Sequence, residues 1–397
     1  MTQSVGNAPA SGASPSTVEA AVKERYSKGA QQCEAALCCP VSYDTSLLEV
    51  IPAEVIERDY GCGDPTKYVQ AGETVLDLGS GSGKACFIIS QVVGPSGAVI
   101  GADMNDDMLA LARGAAPVVA GRIGHDNVRF VKCKIQDLGL DCEQLDRYLA
   151  EHPVKNLEDY ERVQAFADGL RSTAPAVASD SVDVVVSNCV LNLVRPDDKA
   201  QLFGEIFRVL KKGGRAVISD IVADEDIPIA LQNDKKLWSG CISGAYREDA
   251  FLKAFEEAGF HGIEILERVS DPWQTVEGIE FRSVTVAAYK GKAGPRWDQK
   301  HAVIYKGPFA ETRDDDGHVF RRGVRTAVCE KTFKLLTSAP YSEHFAAVEP
   351  RVLIALADAP PFPCSRDALI RHPRETKGAD YKQTTDAGAA CGPSKCC

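Results

Sequence analysis

The stretch Thr74–Gly83, TVLDLGSGSG, decides the fold. An apolar run closes on Asp77 and Leu78, and glycines then stand at 79, 81 and 83 with serines between them. Such a run followed at once by glycines reads as a buried strand turning sharply into a helix. Lys84–Val93 continues as that helix, GPSG (94–97) turns the chain, and Ala98–Ala102 forms the next strand, ended by Asp103. Val128–Val131 is a third strand. Val182–Val186 is a fourth, after a polar insertion (139–180) with a helix near Leu157–Leu170. Lys199–Leu210 is an amphipathic helix, Lys211–Gly214 a turn, and Arg215–Asp220 a fifth strand. Strands alternating with helices imply an α/β fold with a mostly parallel sheet covered on both faces.

Past Asp220 the pattern changes. Residues 226–260 read as helical around KKLWSGCISGA (235–245), and Ile263–Val269 with Ser283–Tyr289 read as an antiparallel edge to the sheet. KGKAGPRWD (290–298) has the composition of a linker, and a smaller α+β domain follows. The expected division is a disordered tail over 1–37, a cofactor domain over 38–225 and a segment completing the sheet over 226–291. A C-terminal domain over 292–372 and a Cys-rich disordered tail over 373–397 complete the chain. No internal repeat is visible.

Bulk properties exclude several classes. A net charge of −11 without any basic run argues against nucleic acid. No apolar run approaches the roughly 20 residues that span a membrane. The start, MTQSVGNAPASGASPST, has neither the charged nor the apolar region of a secretory leader. A cytoplasmic monomer is expected, with most of its 14 cysteines reduced.

The G-x-G-x-G spacing is one residue tighter than a dinucleotide fingerprint. It suits a cofactor lying on loop backbone with no phosphate to cradle. Asp103, twenty residues after Gly83, stands where an acid binds ribose hydroxyls, and Ile135-Gln136-Asp137 follows the third strand where an adenine ring is flanked.

Four cysteine positions stand apart. Cys62 lies between glycines (YGCG), Cys189 follows the fourth strand in SNCVLNL (187–193), Cys241 lies in SGCISG, and Cys38-Cys39 is a vicinal pair before Pro40. Each is either a small buried hydrophobe or a chemical thiol. Little side-chain cover is expected around Cys62, which argues against packing there. Cys86, Cys133 and Cys142 sit in ordinary packing contexts.

LDLGSGSGK, GADM (101–104), SNCVLNL and RVLKKGGRAVISD (208–220) resemble class I S-adenosylmethionine-dependent methyltransferases. More closely, with ERDYGCGDP (57–65), LWSGCISGA (237–245) and CCP (38–40), they resemble the arsenite methyltransferases, over about residues 38–290. The resemblance implies a Rossmann-like seven-stranded sheet with an inserted arsenic-binding segment. It implies transfer of methyl groups from S-adenosylmethionine to thiolate-bound trivalent arsenic, in arsenic detoxification. Arsenite and methylarsenite, as thiol conjugates, are the implied substrates.

Cys62, Cys189 and Cys241 are then the ligands of trivalent arsenic, a soft ion that prefers soft thiolates. Cys62 paired with Cys38 or Cys39 supplies two electrons by closing a disulfide, with Cys33 as an alternative partner and glutathione or thioredoxin as the outside reductant. Asp77, Gly79, Ser80, Gly81, Ser82, Gly83, Asp103, Met104, Ile135 and Gln136 are the implied cofactor contacts. Tyr60 either faces the sulfonium or simply packs. Asn188 touches the cofactor or orients Cys189. CGPSKCC (391–397) either relays thiols or is a thiol-rich tail, and Asp314–Asp316 is a solvated loop. The competing readings are a C-methyltransferase of a small organic molecule, and a thiol protein that sequesters metal. The first has no use for three placed cysteines. The second lacks a paired CxxC pattern and has no need of a cofactor loop.

Overall fold

The computed structural model describes residues 15–32, 34, 41–364 and 369–377. The chain divides into two compact units between Gly291 and Lys292.

In the first unit the strands are β1 (Thr74–Leu78), β2 (Ala98–Asp103), β3 (Val128–Lys132), β4 (Val182–Asn188) and β5 (Leu210–Ala223). The short β6 (Tyr246–Arg247), then β7 (His261–Arg268), β8 (Gln274–Val276) and β9 (Ile279–Tyr289) follow. They form one sheet in the order β3-β2-β1-β4-β5-β9-β7, with β6 paired to β5 and β8 to β9. Strands β3 to β5 run parallel. The seven-stranded class I methyltransferase sheet is therefore present, with two short additions. The late strands complete the sheet at this edge, as expected. β9 inserts between β5 and β7 and is antiparallel to both.

The helices are α1 (Pro15–Gln31), α2 (Thr45–Leu48), α3 (Ala53–Glu57), α4 (Lys84–Val93), α5 (Asp106–Ile123), α6 (Cys142–Glu151) and α7 (Leu157–Thr173). After these come α8 (Pro196–Val209), α9 (Ile229–Gln232), α10 (Lys235–Ser239) and α11 (Glu248–Glu257). Alternate residues of each parallel strand face opposite sides. Val75, Val184, Val186 and Val217 meet Cys86, Ile89 and Val93 on one face. Leu76, Leu78, Val185 and Ile218 meet Leu202, Phe203, Ile206 and Phe255 on the other. Burying each such side chain contributes about 1.5–3 kcal/mol, so the sheet is a rigid base for the loops at its C-terminal edge.

Three expectations need correction. Residues 15–31 form a helix, although their composition suggests a disordered tail. Polar bonds hold this helix in place of an apolar stripe, so periodicity gives no sign of it. Lys211–Gly214 is not a free turn: β5 runs through it, skipping register between the Val182–Leu210 and Val184–Arg215 pairs. Gly213 N–H is held by Lys290 O at 2.7 Å. Residues 226–260 are three short helices, and Gly240–Ala245 is loop.

The second unit contains β10 (Ala302–Tyr305), β11 (Glu311–Arg313), β12 (Val319–Arg321), β13 (Arg325–Ala327) and β14 (Phe345–Val348). It also contains α12 (Glu330–Leu336) and α13 (Pro373–Lys377). Phe333 and Leu336 of α12 pack on Val303, Tyr305 and Phe320, and Arg371 pairs with buried Asp298 at 2.7 Å. Among the described residues no helix is long and apolar enough to cross a membrane.

Candidate active site

The site lies at the C-terminal edge of the parallel strands, where ligands bind in open α/β sheets. Its first half is backbone. Gly79 and Ser80 N–H donate to Ala102 O at 2.8 and 3.1 Å, tying the glycine loop to β2. Asp103 ends β2 and accepts from Gly81 N–H (2.9 Å) and Asn105 N–H (2.8 Å). Burial pushes its carboxyl up, against the pull of those bonds. Gly79, Gly81, Asp103, Met104, Ile135 and Gln136 line one cleft together with Tyr60. The cleft encloses about 970 Å³ of empty space including its mouth, enough for a nucleoside-sized ligand. Ser80 Oγ is buried without a hydrogen-bond partner, an orphan that a polar ligand would satisfy. The residues present fit S-adenosylmethionine.

Three of the expected cofactor residues stand behind the cleft. Ser82 Oγ donates to Val55 O at 2.9 Å, and Gly83 caps α4 in a left-handed conformation. Asp77 is buried under the loop, where Cys86 Sγ donates to it at 3.2 Å, and burial pushes its carboxyl up to about 7.

The second half is sulfur. Asn188, at the end of β4, does not line the cleft. It accepts from Cys62 N–H (2.8 Å) and Gly63 N–H (3.1 Å) and donates to Gly63 O (2.7 Å). It is thus the clamp of the YGCG turn and acts on Cys62, where a cofactor contact or an orienting role on Cys189 was expected. A Cβ at Gly61 would lie 2.3 Å from Asn188 Nδ2, and one at Gly63 would lie 2.7 Å from Ser219 Cβ. The glycines flanking Cys62 let this turn press onto β4 and β5. Cys62 is accordingly well covered, only 5% exposed, contrary to the sparse cover expected of it.

Cys189 leaves β4 with its N–H on Ser219 O at 2.8 Å. Cys241 follows α10, its N–H on Trp238 O at 3.0 Å. Both have left-handed backbone, φ 63° and 62°, and they are two of five such non-glycine residues among those described. Strain of this kind costs about 1–3 kcal/mol and gathers at functional sites. Cys241 Sγ donates to Cys189 O at 3.3 Å. Cys62 Sγ, Cys189 Sγ and a carboxylate oxygen of Asp220 lie within 4.8 Å of one another. The structure therefore brings the three expected cysteines into one buried cluster, walled by Ile221, Ile242 and Phe281. Hydrogen bonds with the Cys241 and Cys62 thiols, and then burial, push the Cys189 thiol well above its ordinary range. Burial also raises the Cys62 thiol. The described cysteines are free. Cys33, Cys38, Cys39 and the cysteines of the final seven residues lie outside the described residues.

Sequence reasoning missed several neighbours. Asp220 was visible only as a strand-final acid. It accepts from Leu191 N–H (2.9 Å) and Ile221 N–H (2.8 Å), holding the turn after Cys189, and burial pushes it up to about 6. Buried Lys199 lies over the Tyr246 ring, 3.9 Å from its centroid, and burial pushes it down to about 8. Asn105 caps α5 and also binds α1. Glu19, Val22, Lys23 and Tyr26 of α1 line the cleft, a role with no signal in the sequence. Cys133, expected only to pack, reaches the cleft as well.

A family model described as a methyltransferase domain matches residues 69–163 and 156–259, and one described as a domain of unknown function matches 292–381. An arsenite methyltransferase of Aquipseudomonas alcaligenes is 32% identical over 324 residues, 78% of this chain and 83% of the relative. One from Mus musculus is 29% identical over 381 residues, 90% and 89% of the two chains. Among solved structures, an arsenic(III) S-adenosylmethionine methyltransferase from Chlamydomonas reinhardtii aligns with TM-score 0.53 and 25% identity. That alignment covers 81% of this chain and 99% of the other.

Proposed function

The chain belongs to the arsenite methyltransferase family and transfers methyl groups from S-adenosylmethionine to trivalent arsenic; from that premise we propose that Cys62, Cys189 and Cys241 hold the arsenic. The observation that carries the assignment is the convergence of three buried thiols, two on strained backbone, beside the cofactor cleft.

Arsenite exchanges its three oxygens for three thiolates, each cysteine giving its proton to a departing hydroxide, which leaves as water. The fourth side of arsenic keeps its lone pair. Cys189 lines the cofactor cleft, so the lone pair is presented to that cleft. S-adenosylmethionine supplies an electrophilic methyl group on a cationic sulfonium when bound. Gly79, Gly81, Asp103, Met104, Ile135 and Gln136 would hold it, with Asp103 on the ribose and Tyr60 beside the sulfonium. Fixing both reactants replaces a bimolecular encounter with a positioned one. The attacking atom loses no proton, so no general base is needed.

Gaining a methyl carbon through its lone pair oxidises arsenic from trivalent to pentavalent. Two thiols closing a disulfide return the two electrons. Cys62 with Cys38 or Cys39 is the proposed pair. Glu34 N–H donates to Tyr60 Oη at 2.9 Å, and Val41 lines a cavity with Gly61, so the chain on both sides of residues 35–40 meets the Cys62 turn. Glutathione or thioredoxin then reopens the disulfide. All three ligands come from one chain, which suits a monomer, and free thiols suit the reducing cytoplasm.

The test is a serine series scored by product speciation with arsenite and methylarsenite as separate substrates. Methylarsenite has used one arsenic bond on carbon and needs two thiolates. Cys189→Ser and Cys241→Ser should lose both activities, whereas Cys62→Ser should lose arsenite methylation and keep that of methylarsenite. Serine is nearly isosteric but hard, so the fold survives while soft-ion affinity goes. Full activity of Cys189→Ser on arsenite would refute the assignment.

A further inference from the structure

An acid stands inside the thiol cluster with no part in holding arsenic. Asp220 on β5 is buried, as are Cys62 and Cys189 beside it. One of its carboxylate oxygens and the two sulfurs all lie within 4.8 Å of one another. Two backbone donors aim the carboxylate, Leu191 N–H at 2.9 Å and Ile221 N–H at 2.8 Å, one on each oxygen. Each oxygen therefore keeps a lone pair for a cation. Cys241 faces elsewhere, its Sγ donating to Cys189 O at 3.3 Å.

Trivalent arsenic has no use for this hard oxygen. It takes three soft thiolates, and its lone pair fills the fourth side. A divalent cation of the zinc group has no such lone pair. It takes four ligands in a tetrahedron and accepts carboxylate beside thiolate. Its bonds of about 2.0–2.3 Å set ligand atoms about 3.3–3.8 Å apart, so the trio has at most about 1–1.5 Å to close.

We propose that Cys62, Cys189 and Asp220 bind a divalent cation of the zinc group, with water in the fourth position, and that this ion excludes arsenite. The ion site stands on the geometry of the trio, whereas the exclusion rests on Cys62 and Cys189 being arsenic ligands. Each of the two thiols releases its proton to solvent as the ion binds. The two occupants then differ in one ligand. Arsenic takes Cys241, and the divalent cation takes Asp220.

The experiment is equilibrium dialysis of full-length protein against Cd2+, without added thiol, for wild type, Cys189→Ser, Cys241→Ser and Asp220→Asn. Arsenite binding is measured on parallel samples. The chain carries 14 cysteines, so the site is scored as the cadmium equivalent that wild type binds and Cys189→Ser does not. The thiolate-to-cadmium absorbance lost with that equivalent should be that of two thiolates. Cys241→Ser should keep the equivalent while losing arsenite, and Asp220→Asn should bind it more than tenfold more weakly. Saturating arsenite should displace it from wild type and leave it on Cys241→Ser.

An absorbance of three thiolates, or loss of the equivalent in Cys241→Ser, would put Cys241 on the ion in place of Asp220 and overturn the proposal, however Asp220→Asn folds. Undiminished affinity in Asp220→Asn, or no cadmium difference between wild type and Cys189→Ser, would overturn it as well. Retention by wild type under saturating arsenite would overturn the exclusion. Undiminished arsenite binding by Cys241→Ser would refute the arsenic assignment and leave the cation site standing.

Discussion

The two halves of the site are built on different principles although they share one edge of one sheet. The cofactor half is contiguous and made mainly of backbone. Residues 79–81 and 103–105 lie on adjacent strand ends, stitched by Gly79, Ser80 and Gly81 N–H groups. The thiol half is assembled from Cys62, Cys189 and Cys241, far apart in sequence, each held by a different device. Asn188 clamps the first, and left-handed turns aim the other two. A loop that presents backbone must keep a spacing. A cluster that presents side chains needs only the three right atoms, wherever they come from.

If the cofactor half works as a unit, the largest effect there should come from Asp103, which joins the glycine loop to β2. Asp103→Ala should weaken S-adenosylmethionine binding by about 1–3 kcal/mol, the cost of losing charge-assisted hydrogen bonds to the ribose. Calorimetry is the measurement, and arsenite binding without cofactor should be spared. An unchanged cofactor affinity would reject Asp103 as the ribose ligand.

A smaller effect should appear in stability. Buried Asp77 holds its proton up to about pH 7, whereas the unfolded chain releases it near about 3.9. Between those values the folded state binds more protons than the unfolded state. Its stability therefore falls as pH rises, by at most about 1.4 kcal/mol per pH unit. Asp77→Asn removes the titration, so Tm of the cofactor-free protein should decline less between about pH 5 and 7 than in wild type. Identical slopes would show that Asp77 does not bind an extra proton in the folded state over this range.

The contrast also explains what the sequence discloses. TVLDLGSGSG, Asp103 and Ile135–Gln136 are legible because strand, turn and loop chemistry repeat with fixed spacing. Their architecture is as expected, down to β2 ending at Asp103. The cysteines stand out as unusual residues in unusual settings, but nothing in their spacing tells of one cluster; only family resemblance does so. Asn188 shows the limit well. Its neighbour in sequence is Cys189, yet its amide serves Cys62, 126 residues away. Helix α1 is invisible for a different reason. Arg25 donates to a carbonyl and a hydroxyl of α10, and the Asn105 amide capping α5 donates to Lys23 O; such bonds leave no periodic trace. The KKGG segment misleads because its glycines bend β5 without ending it.

The central claim is that three protein thiolates, and nothing else, hold arsenic at this edge. X-ray absorption at the arsenic edge tests it most directly, on full-length protein loaded with one equivalent of arsenite and freed of added thiol. The account predicts a first shell of three sulfurs with no oxygen, falling to two sulfurs in Cys62→Ser loaded with methylarsenite as in wild type. An oxygen in the wild-type arsenite shell, or three sulfurs undiminished in arsenite-loaded Cys62→Ser, would contradict it.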